Sequence, residues 1–257
     1  MLVVVSPAKK LDWDRQQHAA VTEPEFSKEA GTLAGHARQL GLGKLRALMD
    51  LSDDLARLNR DRFQAFKSDP AKDDLRAALY AFAGDTYLGL DAESLDDESV
   101  AYAQRHLRIL SGLYGVLRPL DGMQAYRLEM GSRLKTRRGT NLYDFWGSHI
   151  SKSLNQTAEE TRSDLLVNCA SQEYFGAVDQ KRLKPRVITP SFYEEQDGTR
   201  KMISFFAKRA RGAMARFIVE HRIRDIDGLR SFDAGGYRYA EGISDESTLA
   251  FVRPEPA

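Results

Sequence analysis

Arg186-Val187-Ile188-Thr189-Pro190-Ser191-Phe192 begins the stretch whose reading decides the fold class. Its β-branched and aromatic residues read as a strand. Ser191–Phe206 then reads as a hairpin, because Asp197-Gly198 supplies the positive φ angles that a tight turn needs. Ala207–Ile223 follows as a strong helix. Outward from this stretch, Leu165–Cys169 reads as another strand, and Gly236–Tyr239 with Thr248–Val252 as a closing hairpin. Leu2–Val5 is a short buried strand that ends in the turn Ser6-Pro7. Between these, Glu25–Tyr87 is mostly helical, with Ser52-Asp53-Asp54 offering a helix N-cap. Asp91–Glu98 is an acidic loop. Val100, Ala103, Leu107, Leu110, Tyr114 and Leu117 form a further helical stripe, interrupted at Gly112 and Gly115. Helices first and strands later predict an α+β chain. The expectation is a single compact domain over residues 1–257, a mixed sheet flanked by helices.

Composition narrows the function classes. Of 257 residues, 42% are hydrophobic and 29% charged, which is ordinary globular usage and excludes wholesale disorder. No apolar run approaches the roughly 20 residues that cross a bilayer. The start MLVVVSPAKK lacks the basic segment of a signal peptide. A cytoplasmic protein with no membrane partner is expected. One cysteine excludes a disulfide framework, and His18, His36, His106, His149 and His221 lack ligand spacing, so no metal or cofactor is expected. Thirty-eight basic residues against 37 acidic give a net charge of only +1. Any affinity for a polyanion must therefore come from segregation of charge.

The helix near Ala207 carries such segregation. At 100° per residue, Lys208, Arg209, Arg211, Arg216 and Arg222 share an arc of roughly 160°, with no acidic residue inside it. This face is expected to bind phosphate; the alternative is pairing with the acids of Asp91–Glu98. Arg133, Lys135, Arg137 and Arg138 form a second basic cluster in a loop. Convergence of such clusters would make a basic cleft. Gly41-Leu42-Gly43-Lys44 fits part of the helix-hairpin-helix pattern, in which backbone N–H groups grip phosphate. Ser111-Gly112-Leu113-Tyr114-Gly115 is a looser fit, and in both places a glycine that ends a helix is the alternative.

Ser6-Pro7-Ala8-Lys9 has the Ser-x-x-Lys spacing of acyl-transfer enzymes. A phosphate-binding turn with Ser6 and Lys9 as donors, or an N-cap beside a surface lysine, are the competing readings. Cys169 at a strand end reads as a core thiol. Tyr87, Tyr114, Tyr126, Tyr143, Phe145, Trp146 and Tyr174 read mainly as core, with base stacking as the alternative.

Several of these segments together resemble the YaaA family of bacterial peroxide-stress proteins. The resemblance is carried in order by Ser6–Lys9, Phe82–Tyr87, Leu110–Leu120 and Tyr126–Gly131. It continues through Leu142–Gly147, Asn168–Phe175 and Ala207–Gly212. It implies protection against hydrogen peroxide, restraint of free iron, and binding of double-stranded or branched DNA through a positively charged cleft with a helix-hairpin-helix element. It implies no established catalysis. Cys169 departs from the family's usual aliphatic residue, and Gly41 and Gly43 lie in a variable part. A second expectation is an enzyme acting on a phosphorylated substrate. Its polar cleft would draw on Ser6, Lys9, Asp85, Arg118, Arg127, Glu129, Asn168, Ser171 and Glu173. A third is an adaptor whose basic face meets an acidic protein.

Overall fold

The computed structural model describes residues 1–14 and 20–254, so His18 lies outside the described residues. The first strand, β1 (Leu2–Val5), is apolar at every position and buried on both faces, because it lies mid-sheet. Three helices follow: α1 (Ser27–Arg38), α2 (Leu42–Met49) and α3 (Asp53–Ala65). Ser52 caps α3, its hydroxyl accepting from the Leu55 N–H at 3.4 Å. Next come α4 (Asp85–Leu90) and α5 (Asp97–His106), the latter capped by Asp96 through the Ser99 N–H at 2.7 Å.

The chain then departs from the periodic reading. The helix stops at His106, and Leu107–Ser111 is a strand (β2) that turns back as β3 (Gly115–Leu117). Both strands are buried throughout. A strand covered on both faces shows no alternation, so Leu107, Ile109 and Leu110 continue the preceding helical stripe without a visible break.

Helices α6 (Leu142–Trp146) and α7 (His149–Glu160) lead to β4 (Leu165–Cys169) and the one-turn α8 (Gln172–Phe175). The expected turn is present but the hairpin is shorter: β5 (Arg186–Gln196) turns at Asp197 and Gly198, both at positive φ, into β6 (Thr199–Lys201), and Ser204–Phe206 already belong to the next helix. Helix α9 (Ser204–His221) then crosses the sheet. The closing hairpin pairs β7 (Arg238–Tyr239) with β8 (Thr248–Arg253), antiparallel.

These strands form one eight-stranded mixed sheet in the order β7-β8-β5-β4-β1-β2-β3, with β6 pairing off β5. The five central strands are parallel, in registers such as Val3 opposite Leu107 and Val167. The architecture is α+β, a mixed sheet flanked by helices. No helix among the described residues is long and apolar enough to cross a membrane.

One contact positions the functional region. Helices α4 and α9 cross with their backbones nearly touching, at Gly89 and Gly212. A Cβ on Gly212 would lie 1.8 Å from the Thr86 carbonyl oxygen, and one on Gly89 would lie 1.9 Å from that of Arg209. Only glycine fits there. The crossing sets α9 against β1 and β4 near their carboxyl ends.

Candidate functional site

In open parallel sheets, ligands bind outside the carboxyl ends of strands where successive connections leave in opposite directions. That point lies at β1, which has β2 on one side and β4 on the other. A cleft of about 440 Å³ opens there. Ser6 follows β1, Cys169 ends β4 and Ser171 opens α8, while Lys208 and Arg211 reach in from α9.

The two serines are locked together. Ser6 Oγ accepts from the Ser171 N–H at 2.9 Å and donates to Ser171 Oγ at 3.4 Å. The Tyr87 hydroxyl donates to the Ser6 carbonyl at 3.2 Å. No helix follows Ser6, so the Ser-x-x-Lys segment is not the helical turn of a Ser–Lys nucleophile. The Lys9 ammonium turns instead to Glu129, 3.3 Å away. Arg127 grips the same Oε1 atom of Glu129 through two nitrogens at 3.0 Å. The other carboxylate oxygen of Glu129 is buried with no hydrogen-bond partner among the described residues. Glu173, on the cleft wall, accepts from the Gly131 N–H at 2.9 Å.

Burial pushes the Cys169 thiol up to about 12, against a small opposing pull from Arg211. It stays protonated at neutral pH and lines the cleft as an inert small group. Burial also lowers the Arg211 guanidinium, which the Cys169 sulfur partly offsets. Neither Lys208 nor Arg211 pairs with a carboxylate among the described residues.

The structure brings together Ser6, Lys9, Asp85, Ser171 and Glu173 with Lys208 and Arg211, and sets Arg127 and Glu129 behind Lys9. Asn168 stands one residue back on β4, its side-chain oxygen held by the Ala170 N–H. Arg118 is elsewhere: it is bound to Asp121 and to the Glu23 carbonyl, beside a different pocket. Lys10, which sequence reading missed, also lines the cleft, as do Thr86 of the Phe82–Tyr87 block and Tyr174, read mainly as core. Adjacency of Lys10 to the Ser6–Lys9 segment was the available signal. With Lys9, Lys10, Lys208 and Arg211 facing Asp85 and Glu173, the cleft is of mixed charge, not uniformly basic.

The expected basic arc of α9 divides. Arg209 faces a second pocket on the other side of the helix. Arg216 is taken up by the Leu90 and Asp91 carbonyls, Ser94 Oγ and the carboxylates of Asp91 and Glu220. Arg222 pairs with Glu98 at 3.1 Å. Asp91, Glu98 at the start of α5 and Glu220 on α9 itself thus neutralise the far half of the arc.

The glycine elements also divide. Gly112 and Gly115 belong to the buried β2–β3 turn. A Cβ on Gly112 would meet the Leu128 carbonyl oxygen at 2.2 Å, and one on Gly115 would meet the Trp146 ring at 2.7 Å. They pack the interior and offer no surface to a polyanion, which corrects the helix-hairpin-helix reading of this segment. Gly41 caps α2, leaving Gly43 and Lys44 exposed on its first turn, and α2 packs on α3, away from the residues that line the cleft. The loop of Arg133, Lys135, Arg137 and Arg138 is exposed and leaves the cleft wall at Gly131. Arg138 pairs with Glu29 and stacks on Phe145.

Comparison with known proteins places this arrangement in a family. A UPF0246 protein of Ruegeria pomeroyi is 62% identical over 254 residues, covering 99% of each chain. One from Roseobacter denitrificans is 60% identical over 259 residues and the whole of both chains. One from Dinoroseobacter shibae is 60% identical over 256 residues, all of this chain and 96% of its own. The family model described as peroxide stress protein YaaA matches residues 1–242, and the chain belongs to that family.

Proposed function

We propose that this peroxide-stress protein acts in the cytoplasm as a sequence-independent DNA-binding protein, which limits the damage that peroxide and free iron inflict on DNA. The observation that carries the reading is the pair Lys208 and Arg211, which project into the cleft with no carboxylate partner among the described residues. Facing hydroxyls of Ser6 and Ser171 and the ammonium of Lys10 would complete a set of phosphate donors. The exposed Arg133–Arg137 loop, which starts at the cleft wall, would extend the contact along a double-stranded or branched backbone.

The test is binding of duplex and branched DNA across a salt series. Each phosphate neutralised contributes about −0.9 to the slope of log affinity against log salt on duplex DNA. The variant Lys208→Ala/Arg211→Ala should reduce both affinity and slope, and Arg222→Ala should change neither. Affinity independent of salt would overturn the reading.

The buried, unpartnered oxygen of Glu129 favours a second reading, an enzyme acting on a phosphorylated substrate. Such an oxygen is costly unless a ligand hydrogen bonds to it. Lys9 and Arg127 would hold the carboxylate and Glu173 would serve as acid or base. Turnover of a phosphorylated compound that Glu129→Gln abolishes, with DNA affinity unchanged, would decide for it.

A further inference from the structure

The pocket on the other side of α9 differs in kind from the cleft. It measures about 440 Å³ and is lined by small residues, notably Gly89 and Ala213, where the close crossing with α4 leaves no room for larger side chains. One wall is Leu88, a large apolar side chain left 60% exposed. The lining also includes a stacked set: the Arg253 guanidinium lies 4.3 Å from the Phe206 ring centroid and 5.1 Å from that of Tyr237. Glu194 fixes Arg253 at 2.7 Å and also accepts from the Tyr237 hydroxyl, so this set is rigid.

The charge at the rim is positive. The Asp91 carboxylate is engaged by Arg216 at 3.3 Å, whereas Arg209 has no carboxylate partner among the described residues. A pocket lined by an aliphatic side chain and by a guanidinium–aromatic stack suits a planar heterocycle. A free arginine at its mouth suits the phosphate attached to that heterocycle. Lys208, the residue before Arg209, opens onto the cleft, so one helical turn of α9 presents cations to both sides.

We propose that this pocket takes an unpaired nucleobase, and that a single nucleic-acid strand crosses α9 from the cleft to the pocket. The proposal rests on the DNA reading and names the form of DNA that fits: a strand with an extruded or unpaired base. Leu88 and Arg253 contact the base, and Arg209 and Lys208 hold the flanking phosphates.

The experiment compares an end-labelled oligothymidylate with an abasic strand of the same length and charge, by fluorescence anisotropy. The wild type should bind the thymidylate about tenfold more tightly, the order of one base stack. Ala234→Met fills the slot from an exposed position away from the crossing, and Leu88→Ser removes an exposed wall without touching the core. In both variants the ratio should fall to near one while affinity for the abasic strand is unchanged, and unaltered melting temperatures would establish that both are folded. Equal binding of the two strands by the wild type would overturn the pocket and leave the phosphate cleft standing. Binding of neither strand, with duplex DNA still bound, would likewise overturn the pocket alone, and loss of duplex binding as well would overturn the DNA reading. A ratio that survives in both folded variants would place base recognition outside this pocket.

Discussion

The two halves of α9 carry the same residue types and hold them differently. In the first half, Lys208, Arg209 and Arg211 face two pockets and pair with no carboxylate among the described residues. In the second half, Arg216 and Arg222 are bound by Asp91, Glu220 and Glu98. Helical spacing assigns all five to one face, but it says nothing of what a distant loop brings to that face. A cation already satisfied by the fold contributes to stability. One left unsatisfied beside a pocket is available to a ligand. On the proposed reading, binding therefore falls to one half and structure to the other.

The largest expected effect lies at the crossing that creates both pockets. Gly212→Ala puts a Cβ within 1.8 Å of the Thr86 carbonyl and must push α4 from α9. Overpacking of this kind costs about 3 kcal/mol or slightly more. For a chain of this length that corresponds to a fall of roughly 6–12 °C in melting temperature. Gly35→Ala on α1 meets nothing within 4 Å and should raise stability by about 0.5–1 kcal/mol. Calorimetry of the pair tests the crossing. If Gly212→Ala melts with the wild type, the close approach is wrong and both pockets lose their shape.

Arg216→Ala comes next. It leaves two carbonyls, a hydroxyl and two carboxylates without their shared donor, and α4 loses its tie to the second half of α9. A half-buried charged network of this sort is worth about 2 kcal/mol. Urea unfolding should show that loss, with DNA affinity unchanged in the folded protein. A large fall in affinity with little loss of stability would place Arg216 among the binding residues and break the division between the halves.

How far the sequence foretells this can be argued from particular residues. The β5–β6 hairpin was legible because Asp197-Gly198 is a local signal with a local cause. The Ser52 cap and the β7–β8 pair were legible for the same reason. The strand Leu107–Ser111 was not, because burial on both faces erases the alternation that marks a strand. Gly112 and Gly115 were misread because a glycine that gives way to Leu128 or Trp146 looks the same in sequence as one that gives way to phosphate. Ser6, Lys9, Ser171 and Glu173 were legible as a set through the family resemblance, and the spacing between them carries no such information. Arg118 was grouped with them because it lies in the Leu110–Leu120 block of the same resemblance. Its ion pair with Asp121, three residues away, was the local sign of a structural role.

A smaller effect is expected at the end of α9. Arg222 closes the helix at φ 50°, in the left-handed region, and its pair with Glu98 is exposed on both sides. Arg222→Gly removes a pair worth about 0.5 kcal/mol and relieves backbone strain of about 1 kcal/mol. The net change should be a gain of about 0.5 kcal/mol in urea unfolding, with no change in the salt dependence of DNA binding. A clear loss of stability would mean that Glu98 holds Arg222 more firmly than an exposed pair does.

The smallest effect on stability, and the sharpest on binding, is expected at Lys208. Its side chain is exposed and has no ion pair among the described residues, so Lys208→Ala should shift unfolding by less than about 0.5 kcal/mol. The same change should lower the salt slope of DNA binding by about 0.7–0.9, the contribution of one phosphate. Arg222→Gly and Lys208→Ala thus remove one positive charge each from the same helix. If both lower DNA affinity equally, only net charge matters and the two halves are equivalent. If only Lys208→Ala lowers it, what distinguishes the halves is the set of carboxylates of Asp91, Glu98 and Glu220, which occupies one and leaves the other open.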